Sequence, residues 1–166
     1  MHTKTGVIFG GIVAVYAFTS IGEAVTLTGT LPVSAIVKAS CQNFVSGTLN
    51  HGDYDPASAA DNDAQATLTL QCTNTTPLTL SASSGSGSLA QRQLSSGANR
   101  LNYNLFTSSA RLAIWGDGTG GTSTIAATGV GMLTNVSLTI FSRIPKGQSA
   151  AIPGTYSDSI TITVTY

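Results

Sequence analysis

Polar and apolar positions along this chain alternate far more often than they recur at helical spacing. From Val25 to Val37 the sequence reads V-T-L-T-G-T-L-P-V-S-A-I-V, with Val25, Leu27, Leu31, Val33, Ala35 and Val37 on one parity and Thr26, Thr28, Thr30 and Ser34 on the other. That is the period-2 signature of a strand with one buried face. The stretch Val25 to Val33, extended, would reach ~30 Å, enough to fold back or to meet another molecule. The alternation returns at Ala66, Leu68, Leu70 and Cys72, then at Leu78, Leu80 and Ala82, and at Leu101, Tyr103 and Leu105. It returns again from Val136, Leu138 and Ile140 to Arg143, and in Ile160, Ile162, Val164 and Tyr166 against Thr161, Thr163 and Thr165. Leu112 to Trp115 adds a short apolar run, and T-N-T-T-P at 73–77 predicts a hairpin between the two strands flanking it. Short strands, close turns and no helical period predict an all-β sandwich of about six strands besides Val25 to Val33, one short of a seven-stranded immunoglobulin-like sandwich.

The residues ahead of Val25 change the picture. Lys4, the apolar run Gly6 to Phe18 and the small residues up to Gly22, Glu23 and Ala24 form the three-part pattern of a secretory signal, with cleavage placed after Ala24. The apolar run falls short of the ~20 residues a membrane anchor needs. The chain therefore divides into a signal over 1–24, an N-terminal strand over 25–33 and a sandwich domain over 34–166. Export leads to an oxidising compartment, which makes Cys41 and Cys72 a disulfide pair. A metal reading of the same cysteines fails for want of ligands, since His51 is the sole histidine after the signal.

Charge adds little. Lys+Arg and Asp+Glu number seven each and only 8% of residues are charged, so no basic face calls for nucleic acid. Abundant Ser, Thr, Gly and Val favour sheet and turn over helix. The loop from Asn50 to Asp63 holds four aspartates, but without the glycine and glutamate spacing of a calcium loop they read as solvated turn residues. Gly116, Gly118 and Gly121 match G-x-G-x-x-G, yet T-S-T-I-A-A-T-G follows where a helix would have to open, so the glycines read as a tight turn. His51 has no nucleophile elbow around any serine to work with, and nothing apolar flanks the aspartates to raise a general acid's pKa. The sequons at Asn74 and Asn135 read as chance matches in a Ser/Thr-rich chain. No enzyme, cofactor or metal is expected.

Six motifs together carry a family resemblance: Y-D-P at Tyr54 to Pro56, the strand ending in Cys72, Y-N-L-F-T-S-S-A-R from Tyr103, W-G-D-G-T-G-G from Trp115, R-I-P-K-G-Q from Arg143, and P-G-T-Y-S-D-S-I-T-I-T-V-T-Y at the C-terminus. The mature chain resembles the spore coat protein U domain family, the subunit domain of archaic chaperone-usher pili of the Csu type. The resemblance implies an incomplete immunoglobulin-like sandwich lacking its last strand, with an acceptor groove along the C-terminal strand at Ile160, Ile162, Val164 and Tyr166. It also implies that the N-terminal segment of one subunit fills the groove of the next. Val25, Leu27, Gly29, Leu31 and Val33 fit that donor role, with Gly29 where the groove has no room for a side chain and Ala35 to Cys41 as the domain's own first strand. Pro32 must then fall where its missing N–H points away from the acceptor. The implied partners are identical or related pilus subunits, a periplasmic immunoglobulin-like chaperone and an outer-membrane usher, without nucleic acid. The implied location is the cell surface, reached through the periplasm, in adhesion or biofilm.

Three rival readings use the same residues. Val25 to Val33 can be an ordinary first strand paired within its own domain. The domain can serve a spore or cell coat without a regular pilus. It can also be a carbohydrate-binding adhesin module, although Trp115 and the five tyrosines are scattered and Trp115 reads as core or turn packing.

Overall fold

The structure, a computed structural model, describes residues 22–166. Most of the expected signal, 1–21, lies outside the described residues. The chain separates into two units, Met1–Ile36 and Val37–Tyr166. In the described part of the first unit, 22–36, there is no strand and every side chain is exposed.

The second unit is an all-β sandwich of the immunoglobulin-like kind. Its strands are β1 (Cys41–Ser46), β2 (Asn62–Cys72), β3 (Pro77–Ala82), β4 (Arg92–Ser96), β5 (Asn99–Phe106), β6 (Ile125–Thr128), β7 (Val136–Ile144) and β8 (Ile162–Thr165). One sheet has the order β1-β2-β7-β5-β4 and the other β6-β3-β8. The alternation in the sequence explains which faces meet. Leu68, Leu70 and Cys72 of β2, Leu78, Leu80 and Ala82 of β3, and Leu101, Tyr103 and Leu105 of β5 are all buried, because successive side chains of a strand point to opposite faces. Trp115 is fully inside, with its indole N–H donating to the Leu80 carbonyl at 3.0 Å.

Several details depart from expectation. Strand β1 starts at Cys41, not Ala35, because the ladder with β2 ends at the pair Cys41↔Cys72. The disulfide closes that pair. Ile36 and Val37 are about 90% exposed, at 90% and 87%. Strands β2 and β3 do not form a hairpin; they lie in different sheets. Thr75 takes a left-handed φ of 61° and donates its N–H to Gly129, while Gly129 donates back to Thr76, so the 73–76 turn binds the β6–β7 loop and carries the chain across the sandwich. Strands β4 and β6 went unforeseen. The sequence of β4, R-Q-L-S-S, lacks alternation because its buried residue is Arg92. Leu112 to Trp115 makes only isolated bridges, and Leu112 is exposed. The glycine-rich segment after Trp115 is a turn, with left-handed φ at Gly118, Gly120 and Gly121.

The C-terminal run is split. Ser157 exchanges two backbone hydrogen bonds with Ser95 of β4, at 2.8 and 3.0 Å, and only from Ile162 does the chain pair with β3 in the opposite sheet. A single run thus passes from one sheet to the other.

Candidate functional site

An open apolar cleft lies between the sheets beside β8. Leu68 of β2, Leu105 of β5 and Ile140 of β7 contribute to a lobe of about 290 Å³ with Ile160 and Ile162. A second, mixed lobe of about 620 Å³ is lined by Leu101, Ile144, Ala151 and Tyr156 together with the polar Asn50, Asp53 and Thr155. Leu49, His51 and Leu94 border both, so they mark where the two meet. Ile160, Ile162 and Val164 pack on the core yet remain only partly buried, and Tyr166 is 56% exposed.

The backbone of β8 adds a second opening. The Ser83 N–H donates to the Thr161 carbonyl at 2.9 Å, and the register continues Ala82↔Ile162, Ser81↔Thr163, Leu80↔Val164 and Thr79↔Thr165. Hydrogen-bonded pairs recur every second residue in an antiparallel ladder. Thr161, Thr163 and Thr165 therefore turn their polar groups to β3, while Ile162 and Val164 turn theirs to the other side. Among the described residues no strand pairs with that side. Ile162 presents its side chain to the cleft and Val164 packs on the core beside it, while both leave unpaired N–H and C=O groups at the edge, the combination that invites another strand.

Polar struts hold this wall in place, and nothing in the alternation pointed to them. Tyr103 of β5 donates its hydroxyl to Asp158 at 2.7 Å, and the other oxygen of Asp158 accepts from the Ser86 N–H at 3.0 Å and hydroxyl at 2.8 Å. Burial, then the Asp158 carboxylate, push the Tyr103 phenol well above the ordinary tyrosine range. Gly85, at φ +60°, suits this place, since a Cβ would crowd the Asp158 carboxylate. The fully buried Arg92 donates to the Ser83 carbonyl from Nε at 2.9 Å and to the Asn104 side chain at 2.7 Å, tying β4 to the end of β3. At the far end Tyr54 donates to the Pro145 carbonyl and accepts from the Gln148 N–H, and Gln148 in turn bonds Asn102. Residues of Y-D-P and R-I-P-K-G-Q are thereby gathered at one place, against Asn102 of β5. Their presence in the sequence was legible; their meeting was not.

The aspartates of the 50–63 loop have local work. Asp55 caps the Ala57 N–H at 2.8 Å. Asp63 accepts from Arg143 at 2.7 and 2.9 Å and pairs with Arg111 at 3.2 Å. The Arg143 hydrogen bonds hold the Asp63 carboxyl below the usual carboxylate range. Among the described residues no three His, Cys, Asp or Glu side chains converge as metal ligands would.

The N-terminal candidates are exposed: Val25 92%, Leu27 99%, Leu31 85% and Val33 87%. Gly29 has nothing within 4 Å of where a Cβ would be.

Comparison with known proteins places the fold and then the family. A chain of the crystal structure of the CsuC-CsuE chaperone-tip adhesion subunit pre-assembly complex, from archaic chaperone-usher Csu pili of Acinetobacter baumannii, is similar at 21% identity and a TM-score of 0.52. The likeness covers 78% of this chain but 40% of that one, and at this identity it speaks for the fold. Comparison with curated proteins finds no match. The family description Spore Coat Protein U domain matches residues 27–163, and the chain belongs to that family.

Proposed function

We propose that this chain is a structural subunit of a chaperone-usher surface pilus, polymerised by donor-strand exchange. In this reading residues 1–24 are a signal cleaved after Ala24, and Val25 to Val33 of one subunit enters the cleft of the next. A periplasmic chaperone occupies the cleft before that, an outer-membrane usher passes the subunit out, and the assembled fibre serves adhesion or biofilm. The observation that carries the reading is the edge of β8, where Ile162 and Val164 offer unpaired backbone groups and Ile162 borders an open apolar lobe.

Pro32 gives the incoming strand a direction. In an antiparallel pair, residues directly opposite share both face and hydrogen-bonding sense. A strand antiparallel to β8 would therefore turn the N–H groups of its inward residues, Val25, Leu27, Gly29, Leu31 and Val33, toward Ile162 and Val164. Pro32 has the other parity, so its missing N–H costs no ladder bond. In a parallel arrangement the parity inverts and Pro32 would face β8. Gly29, without a side chain, suits the place where the two lobes meet.

The energetics fit assembly. About four aliphatic side chains leave water at ~1.5 to 3 kcal/mol each, and a row of backbone groups is satisfied. Donation from one copy to the next does not close on itself, so the product is a filament. Deleting Val25 to Val33 should leave the subunit able to co-purify with its chaperone but absent from fibres. Normal incorporation of the deleted subunit would overturn the proposal.

A further inference from the structure

His51 is the one histidine among the described residues, and it borders both lobes of the cleft. We infer that His51 makes strand binding in this cleft dependent on pH, with the strand bound tightly to the neutral ring and released as the ring takes up a proton. The inference rests on the strand-binding reading given above.

Its ring nitrogens are both engaged. Nδ1 lies 2.9 Å from the Asn62 side-chain oxygen, and Nε2 lies 2.8 Å from the Ser142 hydroxyl. The Asn62 amide nitrogen is committed to the carbonyls of His51 and Asp53, so its oxygen can only accept and Nδ1 must carry a hydrogen. When the ring is neutral, Nε2 accepts from the Ser142 hydroxyl. When it is protonated, Nε2 donates, and Ser142 turns its hydrogen to the Asn104 carbonyl 3.0 Å away. Rotation of one hydroxyl satisfies either charge state, so the ring can titrate without the site coming apart.

Surrounding charges leave burial to decide. Asp63 of β2 attracts the cation, but Arg143 of β7 and Arg111 already hold that carboxylate, and Arg111 itself opposes a charged ring. Asp53 and Tyr54 belong to the ring's own loop, and Asp61 pairs with Arg143. Across the cleft, Asp158 is occupied by Tyr103 and Ser86, and Arg92 is spent on Ser83 and Asn104. Partial burial already holds the imidazolium below the ordinary histidine range. Filling the cleft with aliphatic side chains removes more of the water that solvates the ring, which disfavours its charged form further. A strand that prefers the neutral ring must expel a proton when it binds to the protonated one.

The test uses the full chain as a monomer and a fluorescent peptide of residues 25–34. Fluorescence polarisation should show Kd steady above about pH 7 and weaker by roughly 3- to 10-fold at pH 5, because the bound state disfavours the protonated ring. His51→Gln should bind with a flat profile. Calorimetry of the wild type at pH 6, in two buffers of different ionisation enthalpy, should report net proton release and does not depend on the variant folding. A pH-independent Kd, or equal heats in both buffers, would overturn the role of His51 while leaving strand binding intact. A peptide that binds at no pH would remove the strand-binding reading and this inference with it.

Discussion

Asp63 gathers two of the chain's seven basic side chains, Arg143 and Arg111, and so fastens β2 to β7 and to the loop after β5. Its carboxyl is depressed in the folded state, so the stabilisation is present above the ordinary carboxylate pKa of ~3.9 and is lost as pH falls through and below it. Urea midpoints measured from pH 7 to pH 2 should drop at the acid end, and Asp63→Asn should be less stable at neutral pH with a shallower acid limb. An unchanged acid limb would assign the loss to other carboxylates. None of this pairing was legible beforehand. Four aspartates in a turn-rich loop read as solvated, and the partner arginines lie 48 to 80 residues away, beyond any local pattern. Arg92 shows the same limit more sharply. A charged residue inside a polar pentapeptide predicts exposure, yet carbonyls and an amide from other elements accept its hydrogens and bury it completely.

At the scale of elements, period-2 alternation located β2, β3, β5, β7 and β8 because each buries one face against a packed core. It said nothing of pairing. The 73–77 turn has hairpin length, but Gly129 hydrogen-bonds it into a crossover, and a local sequence cannot say which neighbour its amides will meet. Direction of strand addition is testable at this scale. Thr28→Pro keeps the parity of Pro32 and should join fibres normally, whereas Leu27→Pro places the ring where an N–H is needed. Leu27→Pro should bind at least about tenfold more weakly than a Leu27→Ala control, the value of one lost hydrogen bond. The reverse ranking in a peptide-binding assay would mean a parallel strand.

For the molecule as a whole, a sandwich with an open edge has less core to spare, and the Cys41–Cys72 bridge carries part of the load by locking β1 to β2 over a separation of 31 residues. Replacing both cysteines by serine should lower unfolding stability by ~3.5 kcal/mol in the chain-entropy account, read from urea denaturation. A loss within error would show that the bulged β1 ladder holds without it. By itself the sequence determined the all-β class, the cysteine pair and an alternating segment at 25–33, since each follows from local periodicity, residue type or a simple count. Only the tertiary structure decided that, among the described residues, β8 ends its sheet with the backbone groups of Ile162 and Val164 facing the open edge, that Asp158 and Tyr103 brace the cleft, and that His51 sits where its lobes meet. Those facts depend on contacts between residues far apart in the chain, which alternation along one strand cannot encode.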